Sequence, residues 1–223
     1  MSNSLKAGDA KLSASDIRDR LADTSMPQDP LRIVMPRSLQ KWPADVRSRL
    51  ATNLKPAGVL IPIIEHEDML SVLLTRRSSA LRYHASQVSF PGGRMDPGDP
   101  DIRATALRET WEEVGIEPAE VDIAGYLEPT PTITGYAVTA VVGIIRSGIE
   151  LRIDPCEVDR AFEVPLAYLL DASNQRASER EFEGRRVPIV EFRFAEERIW
   201  GATANILLNL RERLARNHRN SDL

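Results

Sequence analysis

A mixed β-sheet with helices packed on it is the fold class the sequence predicts, an α/β protein whose sheet is not purely parallel. Short runs rich in branched aliphatics recur from residue 58 onward, and helical periodicity appears at 102–114 and 202–215. Strands and helices intermix without regular strand–helix–strand alternation, which disfavours a doubly wound parallel sheet. The 223 residues, 42% of them hydrophobic and 28% charged, can bury such a core without metal or disulfide staples.

The first thirty residues are polar and small, and a capping box at Ser13 and Asp16 opens a helix from Ala14 to about Ala22. Pro27 and Pro30 interrupt the chain before a second short amphipathic helix at 43–50, with Trp42, Val46 and Leu50 on one side. Both helices read as an appendage. The expected division is a partly disordered extension at 1–56, a main domain at 57–217 and a tail at 218–223. Strands at 59–64 and 70–75 flank the polar Glu65-His-Glu-Asp68 as a hairpin, and 88–90 is a third short strand. The helix at 102–114 meets its natural stop at Gly115. Strands follow at 121–127 and 136–145, then a short strand at 163–165 leading into a helix at 166–170. Phe182 and 187–194 flank Glu183-Gly-Arg185 as a further hairpin, and a terminal helix turns Ile206, Leu207, Leu210 and Leu214 inward.

Composition removes several function classes. With 33 acidic against 29 basic residues the net charge is −4, which argues against a broad nucleic-acid-binding surface. The longest apolar run, at 137–145, falls far short of the roughly 20 residues of a membrane-spanning helix. No apolar core of signal-peptide length lies in the first thirty residues. Cys156 is the single cysteine, cannot pair within the chain and reads as an inert, half-buried thiol, so a reducing compartment, the cytoplasm, is expected. A homodimer is left open.

The helix at 102–114 carries the chemistry. At roughly 100° per residue, Glu109, Glu112 and Glu113 share an arc of roughly 100°, with Leu107, Trp111 and Val114 opposite to dock on the sheet. Between Met95 and Asp122 stand nine acidic residues against Arg103 and Arg108. Like charges at these spacings repel, and a bound cation reverses that sign. The face offers only hard oxygen donors, which suit Mg²⁺ or Mn²⁺ rather than zinc. A solvated acidic helix face is the competing reading for these glutamates alone. The adjoining turn Phe90-Pro-Gly-Gly93 and the Asp- and Pro-rich loop at 96–101 tip the balance toward a metal site.

Gly93 together with Arg108-Glu-Thr-Trp-Glu-Glu-Val-Gly-Ile116 resembles the Nudix box, the loop–helix signature of hydrolases that cleave a nucleoside diphosphate linked to another group. Its core, Arg-Glu-x-x-Glu-Glu-x-Gly, is intact. Three departures are visible: the loop from Gly93 to Arg108 is one residue longer, the midway acid is one of Asp96, Asp99 or Asp101 in place of glutamate, and Thr110 stands at a usually aliphatic position. The resemblance implies a Nudix α/β/α sandwich with a mixed sheet. It also implies that Glu109, Glu112 and Glu113, with the Gly93 carbonyl, hold one or more divalent ions, Mg²⁺ or Mn²⁺, braced by Arg108.

The preceding stretch, Leu73 through Thr75, Arg76, Arg77, Ser78, Arg82 and on to Phe90-Pro-Gly-Gly93, closely resembles the motif of the coenzyme A pyrophosphatase branch, with Ser86 where that branch usually has glycine. The implied reaction is hydrolysis of coenzyme A or its thioesters to 3′,5′-ADP and 4′-phosphopantetheine or its acylated form. A substrate carrying a diphosphate and a further phosphate calls for cations and donors, and Arg76, Arg77, Arg82, His84 and Gln87 supply them. Surface solubility is the blander reading of these arginines. Thr130 to Gly135 resembles the branch's substrate-side loop and equally suits an ordinary connection. Family members often recruit one more carboxylate from outside the box, for which Glu157 and Glu163 are the candidates, and the proton acceptor is one of these two or a box glutamate. The expected partner is a small nucleotide. Two alternatives stay open: another nucleoside diphosphate derivative such as ADP-ribose, or a Nudix-fold module that senses a nucleotide without cleaving it.

Overall fold

The computed structural model describes residues 12–81 and 84–216. The N-terminal helix α1 (Ala14–Leu21) starts on the expected capping box: the Asp16 N–H donates to Ser13 Oγ and the Ser13 N–H to Asp16 Oδ2. Helix α2 (Ala44–Leu50) follows a short 3₁₀ turn at Leu39–Lys41.

Strands β1 (Lys55–Glu65) and β2 (Leu70–Arg77) form the expected antiparallel hairpin, longer than its aliphatic runs because pairing extends into flanking polar residues. Two short strands, β3 (Val88–Ser89) and β4 (Gly92–Arg94), lead to α3 (Ile102–Val114). Then come β5 (Asp122–Tyr126), β6 (Thr130–Pro131), β7 (Tyr136–Arg146), β8 (Val158–Pro165) and α4 (Leu166–Leu170). The described residues end on β9 (Arg176–Phe182), β10 (Arg185–Phe194), β11 (Glu197–Trp200) and α5 (Gly201–Arg216).

The main sheet is mixed. Strand β1 runs parallel to β7 along its whole length and antiparallel to β2 and β4, while β8 lies antiparallel to the outer side of β2. Because side chains alternate across a strand, β1 feeds two cores. Leu60 and Ile64 pack with Leu73, Val141 and Ile145 against Ala106 and Val114 of α3. On the other face Ile61 and Ile63 pack with Val72, Leu74 and Val142 against Leu207 and Leu210 of α5. Helix, sheet and helix give the α/β/α layering that was expected. Strands covered on both faces read as nearly unbroken apolar runs, which is the pattern of β1 and β7.

Three expectations are revised. The N-terminal helices do not hang off the body: Ile17 and Leu21 are fully buried in the core that contains α5, the Arg20 guanidinium donates to the Leu214 carbonyl, and the Tyr126 N–H donates to Thr24 Oγ1. Leu39, Trp42, Val46 and Leu50 close a satellite core on Val187. Second, the hairpin of β9 and β10 gains a third strand, β11, and forms its own sheet. Third, Cys156 is exposed. No helix among the described residues is long and apolar enough to cross a membrane.

Candidate active site

Helix α3 is fixed at both ends. The Asp101 carboxylate accepts from the Ala104 N–H at its start, and Gly115 ends it in the left-handed conformation, φ 77°, with its N–H on the Trp111 carbonyl. The buried stripe runs through Ile102, Ala106, Thr110 and Val114, one residue every four. That stripe is rotated from the expected one: Val114 is buried and Leu107 half-buried, but Trp111 is 45% exposed and gives its indole N–H to Glu117. Thr110 fits an aliphatic position because its hydroxyl is spent within the helix, donating to the Ala106 carbonyl at 2.6 Å.

The rotation grades the three glutamates by burial. Glu112 is 47% exposed, Glu109 17% and Glu113 only 2%. Glu113 reaches under the turn before the helix: Oε2 accepts from the Gly92 N–H at 3.2 Å, and Oε1 lies 3.5 Å from Arg77 Nη1. Burial pushes its carboxyl up to about 8, opposed by Arg77 and the Gly92 N–H and reinforced by the nearby charges of Glu157 and Glu109. Burial likewise raises Glu109, against the neighbouring Arg108. Glu109 lies on the backbone of Gly93, so closely that a Cβ there would come within 2.4 Å of Oε2.

Arg108 braces the helix. It grips Asp99 through two donors, Nε to Oδ1 at 2.9 Å and Nη2 to Oδ2 at 3.0 Å, while Nη1 reaches Glu109 at 3.0 Å and Glu112 at 2.9 Å. Of the three candidate midway acids it is Asp99 that Arg108 holds by two hydrogen bonds; it also accepts from the Asp96 N–H and the Thr105 hydroxyl. The Arg108 side chain beside it holds the Asp99 carboxyl well below the usual carboxylate range. Asp96 lies 3.9 Å from Arg108, and Asp101 is committed to the helix cap.

The donor chemistry suits a hard divalent ion: carboxylate oxygens on one face, one of them buried with its charge only partly offset, and a glycine cradle that no larger residue could form. Among the described residues, no three His, Cys, Asp or Glu side chains already close on one point. Arg108 draws Glu109 and Glu112 toward itself while Glu113 turns beneath Gly92.

The two outside carboxylates are placed differently. Glu157, whose carbonyl accepts from the Ser78 N–H, is close enough for its charge to act on both Glu109 and Glu113. Glu163 lies within β8, hydrogen-bonded to His66 Nε2 at 2.6 Å and to the Ser71 hydroxyl. Of the two adjacent arginines, Arg77 turns to the site while Arg76 turns away, 3.7 Å from Glu197 of β11, which also holds Arg160.

A cleft of about 430 Å³ opens beside Gly92 and Gly93 and is lined by Arg77, His84 and Gln87. His84 Nδ1 is 2.8 Å from Gln87 Oε1. Ser86 sits between them at φ 59°, a left-handed conformation that explains why glycine suits this position. Arg82 lies outside the described residues. The threonine loop also reaches the cleft, through Thr132, Ile133 and Thr134. Sequence reading missed the opposite wall, made by Trp42, Phe182 and Trp200. They come from three distant segments, so no local pattern announces them.

A NUDIX domain profile matches residues 54–184. The chain is 42% identical over 166 residues to a protein of Photorhabdus laumondii named uncharacterized Nudix hydrolase NudL, which covers 74% of this chain and 88% of that one. It is 38% identical over 163 residues to the protein of the same name from Cronobacter sakazakii, covering 73% and 84%. Among solved structures it is similar to a MutT protein from Methanosarcina mazei, with 22% identity and a TM-score of 0.45, covering 76% of this chain and 98% of that one.

Proposed function

Because the chain belongs to the Nudix hydrolase family, we propose that it cleaves the diphosphate of coenzyme A or acyl-coenzyme A, giving 3′,5′-ADP and 4′-phosphopantetheine or its acylated form. The observation that carries the reading is the meeting of two motifs. The segment that resembles the coenzyme A branch delivers Arg77, His84 and Gln87 to the cleft that opens at Gly92 and Gly93, beside the acidic helix.

In this reading Glu109, Glu112 and Glu113, with the Gly93 carbonyl, hold Mg²⁺ or Mn²⁺. A bound divalent ion supplies positive charge at the diphosphate and makes water a stronger nucleophile. The chain's own residues do the rest. Arg108, locked by Asp99, fixes the directions of Glu109 and Glu112. Arg77 stands between the buried Glu113 and the cleft, where its guanidinium offsets phosphate charge. Glu157 is the proton acceptor, in preference to Glu163, whose carboxylate is occupied by His66 and Ser71. Arg82 contributes to binding of the 3′-phosphate, a role that rests on the motif alone.

The test is a panel of diphosphates with Mg²⁺ or Mn²⁺: coenzyme A, dephospho-coenzyme A, ADP-ribose and a dinucleoside polyphosphate, with products identified by mass. Release of 3′,5′-ADP with the highest kcat/KM of the panel supports the proposal. Preferred cleavage of ADP-ribose or the dinucleotide overturns the substrate class, and binding without cleavage of any member points to a sensing module.

A further inference from the structure

The cleft does not end at the diphosphate site. From Arg77 and Gly93 it runs to an arm lined by Leu39, Trp42, Leu50, Phe182, Val187 and Ile189. This arm lies where the N-terminal segment packs on β9 and β10, neither of which belongs to the metal-binding helix or its loop. Its wall is packed: Trp42 is buried and lies against Phe182 with ring centroids 5.8 Å apart.

The six side chains named above leave no hydrogen-bonding group free, and several polar groups beside them are spent. The Trp42 indole N–H donates to the Pro188 carbonyl at 2.8 Å, the Ser38 hydroxyl to Asn205 at 2.7 Å, and the Thr203 hydroxyl to the Val88 carbonyl at 2.9 Å. Arg180 lies over the Trp200 ring, 4.4 Å from its centroid. A purine or a ribose entering the arm would bury donors and acceptors without partners, at a cost that selects against it. An aliphatic chain has none to lose and gains from leaving water.

We propose that this arm receives the apolar acyl chain of the substrate, so that the N-terminal segment and the second sheet set acyl-chain preference. The proposal deepens the coenzyme A reading and rests on it. The polar half of the cleft takes the phosphates, and the pantetheine carries the thioester outward until the acyl chain meets Trp42 and Phe182.

The full-length protein, stripped of metal with chelator so that nothing turns over, is titrated with coenzyme A and with acetyl-, butanoyl-, hexanoyl- and octanoyl-coenzyme A. Binding is read by the fluorescence of Trp42 and Trp200, which line the cleft. At about 0.8 kcal/mol per buried methylene, each two-carbon extension tightens Kd by roughly fifteenfold until the arm is full. Ile189→Trp, which fills the arm, removes this dependence and leaves binding of free coenzyme A unchanged. Ile189→Ala is a milder change that keeps the fold and moves the best-bound chain to a longer one.

Equal affinity across the acyl series, with coenzyme A still bound, overturns the arm assignment and spares the coenzyme A reading. Loss of 3′,5′-ADP binding in Ile189→Trp, with the chain-length dependence intact, places the nucleotide in the arm and also overturns it. Failure to bind any coenzyme A species, with ADP-ribose bound, overturns both readings together.

Discussion

Replacing Gly93 by alanine tests the active-site geometry most directly. A Cβ at this position would lie 2.4 Å from Glu109 Oε2, 2.5 Å from its Cδ and 2.7 Å from Oε1, where ordinary contacts begin near 3.4 Å. The obstacle is the end of a side chain, so the carboxylate moves and the backbone stays. The displacement required is about 1 Å, and misplacement of a catalytic group on that scale costs about a hundredfold in rate. Gly93 is not among the residues with positive φ, so alanine brings no backbone strain, and stability changes by less than about 1 kcal/mol. Steady-state kcat/KM on coenzyme A at saturating Mn²⁺, beside a urea melt of the same preparation, separates the two effects. Activity within threefold of wild type would refute the reasoning, because it would mean that the working enzyme does not seat Glu109 on Gly93.

Three further outcomes are expected. Glu109→Gln and Glu113→Gln each lower turnover at least about a hundredfold while the circular dichroism spectrum is unchanged, and near-normal turnover in both would remove the metal assignment. Asp99→Asn destabilises by about 1–3 kcal/mol near neutral pH, since it replaces a carboxylate that is 7% exposed with an amide that can accept only one of its two guanidinium bonds. The Asp99 carboxyl is lowered from its usual 3.8, so its contribution is present in full above 3.8 and fades as pH falls toward the folded-state value. Denaturant melts should show a constant gap between wild type and variant from pH 7 to about 5, closing in stronger acid; a gap that widens in acid would contradict the pairing. Ser86→Gly relieves a left-handed serine and raises stability by about 0.5 kcal/mol, net of the greater freedom glycine has when unfolded. A loss of 1 kcal/mol or more by thermal melt would show that the Ser86 side chain itself supports the loop.

The elements that announced themselves in the sequence are those decided locally. The end of the helix at Ile102–Val114 was legible because Gly115 stops it, a signal that lies within a turn of the helix, while the Asp101 cap at its start became visible only in the structure. The proposed metal-binding glutamates were picked out in the same way, by their spacing on one helix. What could not be read was set by tertiary partners. Trp111 looked like a docking residue because helical phase alone does not say where the sheet lies; Thr110 in the buried stripe settles it only once its hydroxyl is seen to bond within the helix. The capping box announced the helix that carries Ile17 and Leu21 without revealing that α5 would cover it. Asp99 was one acid among three until Arg108 selected it.

The pairing of β1 with β7 bears on how the chain reaches this state. The strand at the centre of the sheet has its hairpin partner β2 immediately downstream, but its parallel neighbour arrives only after α3 and the four strands β3 to β6, Lys55 pairing with Tyr136 and Glu65 with Arg146. During synthesis one long apolar edge of β1 is therefore unpaired while most of the chain is still to come. Helix α1 waits longer still, since its covering helix α5 is the last element described. Contacts between such distant segments close large loops before any stabilisation is returned, so folding is slow and the open edge invites association with other chains. Burial of Ile17 and Leu21 is thus a late event, and it joins the first and last of the described helices.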